Sequence, residues 1–269
     1  MTDNTQRFTG RADDYDRYRQ RYPAAEVLDR LRAWCGLTSN WLVADIGAGT
    51  GMLSEVFLEN GNRVVAIEPN LDMRDRMRVL FAATPQLEIV DATAEATTLP
   101  DASIDVVAAG RAFHWFDPQR ALAEFRRVLK PGGWIVLVSQ GRTHEIADLA
   151  PADRTPAFTQ QTVDFEQLLT EYGTDYQRVR SGYRIHDNMR GLFGPEAELQ
   201  QAQLHGVQQL DWPAFRGHSM SLSVIPQPDH PNYEAFQREL RLYFDAHASA
   251  GILIMPTTCY ITAARFQPR

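Results

Sequence analysis

Val43-Ala44-Asp45-Ile46-Gly47-Ala48-Gly49-Thr50-Gly51 is the stretch that decides the fold. The apolar run over 41–44 reads as a buried strand, and after Asp45 and Ile46 it meets three glycines in five residues. A helical pattern follows over 52–58. Strand, glycine-rich turn and helix make the opening βα unit of a nucleotide-binding α/β domain. Glycine suits that turn because the chain bends sharply and a ligand must approach bare backbone.

Downstream the same alternation repeats. Residues 63–67 form a second apolar run that ends at Glu68, followed by Pro69-Asn70. Glu68 lies 17 residues beyond Gly51, where an acidic side chain at the end of the second strand accepts hydrogen bonds from a ribose diol. Residues 71–83 read as a helix with Met73 in its first turn. At helical spacing a methionine is core, or a flexible surface for a flat ring. A third strand over 87–90 precedes a polar loop containing Thr93, Ala94 and Glu95. A fourth, over 104–109, ends at Gly110 and leads into Arg111-Ala112-Phe113-His114-Trp115-Phe116-Asp117-Pro118. A helix over 119–129, the turn Lys130-Pro131-Gly132-Gly133 and a fifth strand over 134–139 follow. Strands alternating with helices predict a parallel, doubly wound sheet. Ligands in such sheets bind beyond the carboxyl ends of the strands. Residues 45–51, Glu68, 93–95 and 110–115 all fall at that edge.

The flanks are less regular. Residues 12–22 are dense in arginine and tyrosine. On a helix, Tyr15, Tyr18 and Tyr22 share one face, with Arg17 and Arg21 on a neighbouring one. Two readings stand: an ordinary amphipathic surface helix, or a lid whose rings and guanidiniums face a substrate. Pro23 then opens a second helix. Residues 140–194 lose the pattern and read as an insertion over the ligand edge, with a helix over 164–172. Residues 198–210 read as a strand, 212–215, 219–223 and 232–246 as helices, and 251–255 and 257–266 as closing strands. The expectation is one domain over 1–269: a core at about 24–140 and 196–269, an N-terminal lid over 1–23 and a cap over 141–195.

Composition limits the partners. The chain has 269 residues and a net charge of -7, which argues against nucleic acid, since phosphate binding needs a basic surface. No apolar run approaches the ~20 residues of a membrane span, and the first residues lack an apolar signal region. Cys35 and Cys259 make neither a metal-type spacing nor a disulfide framework,. A cytoplasmic protein without a metal, monomer or homodimer, is the expectation.

The loop then chooses among nucleotide chemistries. In the dinucleotide fingerprint G-x-G-x-x-G the third glycine lets the helix pack closely, but here Met52 takes that place. No Lys-Ser/Thr follows, which excludes a P-loop. Asp45 just before the glycines suits a cationic ligand better than a pyrophosphate. S-adenosylmethionine is such a ligand, with a positive ammonium and sulfonium and a ribose for Glu68.

Asp45-Ile46-Gly47-Ala48-Gly49-Thr50-Gly51 resembles the first motif of the class I S-adenosylmethionine-dependent methyltransferases. Ala66-Ile67-Glu68-Pro69-Asn70 resembles their second, and Leu129-Lys130-Pro131-Gly132-Gly133 the turn before their fifth strand. The chain is most similar to the type 11 small-molecule branch, including trans-aconitate methyltransferase-like proteins, which carry an aromatic-His-Trp segment after the fourth strand. The resemblance implies a Rossmann-like, mostly parallel seven-stranded sheet and S-adenosyl-L-methionine as cofactor. It implies that Gly47, Ala48, Gly49 and Gly51 line the methionine moiety, with Asp45 near the ammonium. Glu68 would bind the ribose, and Met73, Thr93 and Ala94 the adenine, with Pro69 and Gly110 as further cofactor contacts. Arg111 stands where many relatives have glutamine.

Methyl transfer needs mainly an aligned nucleophile. A carboxylate requires no base, whereas a hydroxyl or ammonium does. His114 is the candidate base, since an unperturbed imidazole titrates near pH ~6.5; the alternative is an orienting or structural histidine against Trp115. His144 is a second candidate. Tyr15, Tyr18, Arg17, Arg21, Arg111 and Trp115 are the candidate substrate contacts, the arginines by gripping a carboxylate. The expected function is methyl transfer to a small-molecule carboxylate or hydroxyl. Three rivals remain: an S-adenosylmethionine-binding protein with another role, an NAD-dependent dehydrogenase, and an interaction module that docks through the cap with a vestigial cofactor site.

Overall fold

A computed structural model describes residues 9–183 and 188–266. Residues 1–8 of the expected N-terminal lid therefore lie outside the described residues, as do residues 184–187 of the expected cap.

Seven strands form one sheet in the order β3-β2-β1-β4-β5-β7-β6. They are β1 (Leu42–Ile46), β2 (Arg63–Ile67), β3 (Leu87–Val90), β4 (Ile104–Gly110), β5 (Leu129–Arg142), β6 (Glu198–Leu210) and β7 (Leu253–Arg265). The first five pair in parallel, and β7 runs antiparallel to both β5 and β6. The two closing strands expected over 251–255 and 257–266 are thus one. Pro256 interrupts their apolar run without ending it. It lies just past the last β5 pair, Arg142–Thr257, and its carbonyl still accepts from the Thr143 N–H at 3.0 Å. A proline there removes no donor that the ladder uses.

Neighbouring residues of the central strands face opposite sides. Ala44, Val107, Ala109, Ile135 and Leu137 pack on one face with Phe125, while Val43, Val106, Ala108, Val136 and Val138 pack on the other with Phe57. Strands buried on both faces read as continuous apolar runs, which is why they are visible in the sequence. Phe57 and Phe125 are fully buried, and burying each contributes roughly 1.5–3 kcal/mol.

The helices on these faces are α2 (Ala24–Cys35), α3 (Met52–Glu59), α4 (Leu71–Leu80) and α5 (Pro118–Val128). In α5, Ala121, Leu122, Phe125 and Val128 form the buried stripe, and the Asp117 carboxylate caps the start by accepting from the Gln119 and Arg120 amides,. In α4 the Asn70 side chain accepts from the Met73 N–H at 3.1 Å. The helix stops at Leu80, short of the predicted residue 83.

Beyond the carboxyl ends of the strands lies a helical layer with its own core. It joins α6 (Pro156–Tyr172), α7 (Tyr176–Tyr183), α9 (Trp212–Met220) and α10 (Tyr233–His247) to the start of β7 and the end of β6. The short α8 (Met189–Phe193) packs instead on the sheet with α5. The cap layer therefore draws residues from 212–247 as well as from 156–180. The helix predicted over 219–223 is the end of α9 plus turns.

The N-terminal helix α1 (Ala12–Tyr18) is shorter than the predicted 12–22. Arg19 is already extended, with ψ of 137°, and Tyr22 precedes a proline, which disfavours helix there. The buried Asp16 ties the segment down by accepting from Arg21 and Arg76, at 2.7 and 2.8 Å.

Candidate functional site

Two adjoining cavities open at the carboxyl edge of the sheet. The first is walled by Gly47, Gly49, Glu68, Pro69, Met73, Thr93, Ala94, Glu95, Gly110, Ala112 and Phe116. Tyr15, Arg111 and Trp115 belong to both cavities. Glu95, Ala112 and Phe116 were given no individual role in the sequence, although 93–95 and 110–115 were placed at the ligand edge and Phe116 follows directly.

The glycine loop shapes the first cavity. Gly47, Gly49 and Gly51 all have positive φ. A side chain on Gly47 would place Cβ 2.7 Å from the Ala112 Cβ, so Gly47 is needed for close packing. A side chain on Gly49 would meet nothing within 4 Å; it would project into the space a ligand needs. Gly51 packs beneath the Phe81 ring as the N-cap of α3.

Four of the loop amides are already engaged. Gly47 and Ala48 both donate to the Ile67 carbonyl, at 2.8 and 3.1 Å, and Gly51 donates to Ala48 at 2.9 Å. Gly49 donates to Glu68 Oε2 at 2.8 Å. A loop that cradles pyrophosphate keeps its N–H groups for the phosphate oxygens, so this one is ill suited to a dinucleotide.

Glu68 is buried, and its second oxygen accepts from the Asn70 N–H at 2.8 Å. Burial raises its pKa, against the lowering effect of those two backbone bonds. Each carboxylate oxygen spends one lone pair on the backbone and keeps another for a ribose hydroxyl. Asp45 is fully buried and is not on the cavity wall; Ala48 and Gly51 are not on it either. The Asp45 Oδ2 accepts from Ser54 Oγ at 2.7 Å, while Oδ1 has no hydrogen-bond partner among the described residues. Burial, only partly offset by Ser54, pushes the Asp45 carboxyl up to about 7. A buried acid of this kind is completed by a nearby cation. The open space at Gly49, the two acids and the engaged amides together fit S-adenosylmethionine.

Arg111 stands between the cavities. Its φ of +56° is costly for a non-glycine residue, by about 1–3 kcal/mol. The amide is held by the Val138 carbonyl at 2.9 Å. The guanidinium donates to Tyr22 Oη (3.1 Å) and to the backbone carbonyls of Gln20 (3.2 Å) and Gln140 (3.3 Å). It also meets Met52 Sδ at 3.0 Å and lies 4.8 Å from the Tyr22 ring centroid. Burial alone would lower its pKa, but the Tyr22 and Tyr15 phenols more than offset this, so it remains a cation. None of these recorded hydrogen-bond partners is a carboxylate.

The second cavity is lined by Arg19, Arg111, Arg142, His114, His144 and His218, together with Ser139, Gln140, Tyr176, Thr258 and Tyr260. Its described wall carries no acidic residue. Glu166, just behind it, holds the Arg142 guanidinium and accepts from Tyr176 Oη at 2.6 Å. Burial raises the Glu166 pKa, but His144, Arg142 and Tyr176 hold it well below the carboxylate range. The His114 ring lies against Trp115, with centroids 4.4 Å apart. His144 Nδ1 lies 3.1 Å from Arg142 Nη2, and burial with that neighbouring charge lowers its pKa.

Three expected substrate contacts lie elsewhere. Arg17 is exposed and covers the Tyr18 ring, and Tyr18 packs on Gly217 of α9. Arg21 pairs with Asp16 and, at 3.7 Å, with Glu55. None of the three lines either cavity. Arg17 and Tyr18 stay within α1, which packs on α9; for Arg21 the reason is the early end of α1, since once the chain is extended at Arg19 helical spacing no longer governs 19–22, and it is Arg19 that lines the second cavity.

No helix among the described residues is long and apolar enough to cross a membrane. Residues 44–137 match the family model for the methyltransferase domain. An uncharacterized methyltransferase of Mycobacterium tuberculosis is 42% identical over 132 residues, covering 49% of this chain and 51% of that protein. A malonyl-(acyl-carrier protein) O-methyltransferase of Marinomonas sp. is 33% identical over 146 residues, covering 52% and 53%. The chain thus spans about half the length of the curated relatives it matches. In fold it is similar to a solved structure described as a type II methyltransferase, from Anaeromyxobacter dehalogenans. That match has a TM-score of 0.57 at 24% identity and covers 94% of this chain and 100% of the other. The family match begins inside β1 and ends inside β5, so it spans the glycine loop, Glu68 and the Arg111 segment alike. Over residues 44–137 the chain is thus similar to the methyltransferase-domain family, and its fold is that of a solved methyltransferase structure.

Proposed function

We propose that this protein transfers a methyl group from S-adenosylmethionine to a small-molecule carboxylate. The observation that carries this reading is the opposite charge of the two cavities. The wall of the first holds Glu68 and Glu95, with Asp45 behind it, and suits a cationic cofactor. The wall of the second holds three arginines and no acid among the described residues, and suits an anion. Arg111 lies on both walls.

When bound, the cofactor supplies a methyl group made electrophilic by its sulfonium. The protein does the rest by placement. Gly49 leaves room for the methionine moiety, Glu68 offers lone pairs to the ribose, and Asp45 balances the positive charge. Met73 and Ala94, both buried on the wall, would flank the adenine. Arg111 orients the acceptor carboxylate beside the methyl group by charge-assisted hydrogen bonds. A carboxylate oxygen held there by Arg111 would face the methyl group in line with its bond to sulfur, the arrangement a direct displacement needs. No proton moves, so no base is required, and His114 with Trp115 shapes the wall. Alignment of this kind supplies most of the acceleration open to a displacement that needs no acid or base.

The test is a panel of small carboxylates, alcohols and amines, with the methylated product and S-adenosylhomocysteine followed by mass spectrometry. Methyl esters are the expected products. Arg111→Met should lower kcat/KM for an acid by on the order of 100-fold, the effect of removing one partner of a desolvated charge pair. Turnover of alcohols or amines with acids idle would contradict the reading.

A further inference from the structure

The second cavity holds more than positive charge. His218 and Gln140 both lie on its wall and are 3% and 5% exposed. His218 Nδ1 has no hydrogen-bond partner among the described residues, and neither has Gln140 Oε1. Each residue has one further hydrogen bond that places it. The His218 ring hydrogen-bonds to the Tyr18 backbone, and the Gln140 backbone carbonyl accepts from Arg111.

The state of the His218 ring decides what Nδ1 offers. Burial, and then the charges of Arg19, Arg142 and Arg111, push its pKa down to about 3. The bond to Tyr18 favours the protonated ring, so the ring is the donor in it. A neutral imidazole has one N–H and one lone pair. With the N–H given to Tyr18, Nδ1 is a bare acceptor. Gln140 Oε1 is a second one. Acceptors buried without partners are costly, and two on one cavity wall beside the arginines point to a ligand that brings donors.

We propose that the methyl acceptor is a hydroxy- or amino-carboxylate. Its carboxylate lies at Arg111, and its O–H or N–H hydrogens donate to His218 Nδ1 and Gln140 Oε1, a single hydroxyl hydrogen being shared between the two acceptors. This rests on the carboxylate reading above and narrows it. A plain acid would satisfy Arg111 and leave both acceptors empty. A site built to accept from a substrate hydroxyl discriminates strongly against the analogue without it.

The experiment compares malate with succinate, which differ by one hydroxyl, by calorimetry on the full-length protein saturated with S-adenosylhomocysteine. Malate should bind about ten-fold more tightly, the effect of one hydrogen bond to a neutral acceptor. His218→Phe keeps a ring and removes the lone pair, and Gln140→Met keeps the length and removes the amide. Each should bring malate affinity down toward that of succinate while S-adenosylhomocysteine still binds, which shows that the variant is folded. Equal binding of malate and succinate by the unsubstituted protein would overturn this proposal and leave the carboxylate reading standing. So would a malate preference that both variants retain. Absence of binding by either acid, with S-adenosylhomocysteine bound, would overturn both.

Discussion

The two cavities differ in how they are built. The first is made largely of backbone turns and short loops at the ends of β1, β2, β3 and β4, so its residues come in sequence blocks. The second is made of long side chains from residue 19, the 111–115 segment, the end of β5, α6, α7, α9 and β7. They are brought together only by the cap and the N-terminal segment. The difference teaches where function can be read from sequence. A turn that must be glycine declares itself locally, whereas a pocket assembled from distant side chains does not.

The largest expected effect breaks the first cavity. Gly47→Ala forces a side chain at positive φ and 2.7 Å from Ala112. Strain and overpacking together should destabilise the fold by about 4 kcal/mol. Urea denaturation measures this, and S-adenosylhomocysteine binding should be lost with it. An unchanged midpoint would show that the loop relaxes freely.

A smaller effect asks what the buried charge in that cavity does. Asp45 has a folded-state pKa of about 7 against an ordinary value of 3.8. The folded protein therefore holds a proton that the unfolded chain has lost between these values, and stability falls as pH rises through that window. Asp45→Asn removes the penalty. Relative to the unsubstituted protein it should be near neutral at pH 4 and more stable by about 3 kcal/mol at pH 8. Its affinity for S-adenosylhomocysteine should fall, because the ligand ammonium loses its counter-charge. Denaturation at pH 4, 6 and 8 gives the curve, and a flat difference would remove the charge-balancing role.

The sheet was legible for a simple reason. Strands buried on both faces, as β1, β2 and β4 largely are, read as continuous apolar runs, and with the shorter, less buried β3 they emerge close to their predicted bounds. Glu68 was legible because its distance from the glycines carries meaning, and the Rossmann-like core emerges as predicted. Arg111 was visible as an odd residue in a recognisable segment, but its burial and place between two cavities required the tertiary fold. Arg19 was hidden by a wrong helix end: a regular helix over 12–22 points to Arg17 and Arg21, and one extended residue redirects the choice. His218 and Gln140 had no local signal at all. His218 sits in a short helix and Gln140 near the end of a long strand, and only packing against Tyr18 and Arg111 defines them.

The smallest effect marks the outer limit of the second cavity. Arg17 and Arg21 lie on the surface, where exposed ion pairs contribute roughly 0–1 kcal/mol. Arg17→Ala should therefore leave acceptor kcat/KM within about two-fold. A loss as large as that from Arg111→Met would return the N-terminal arginines to the substrate site.

The most direct test of the central claim is calorimetric titration of the protein with S-adenosylhomocysteine and, separately, with NADH. A loop whose amides are spent on Ile67, Glu68 and Ala48, in a cavity walled by acids, predicts one bound S-adenosylhomocysteine per chain and no saturable binding of NADH. Saturable binding of NADH, with none of S-adenosylhomocysteine, would contradict it.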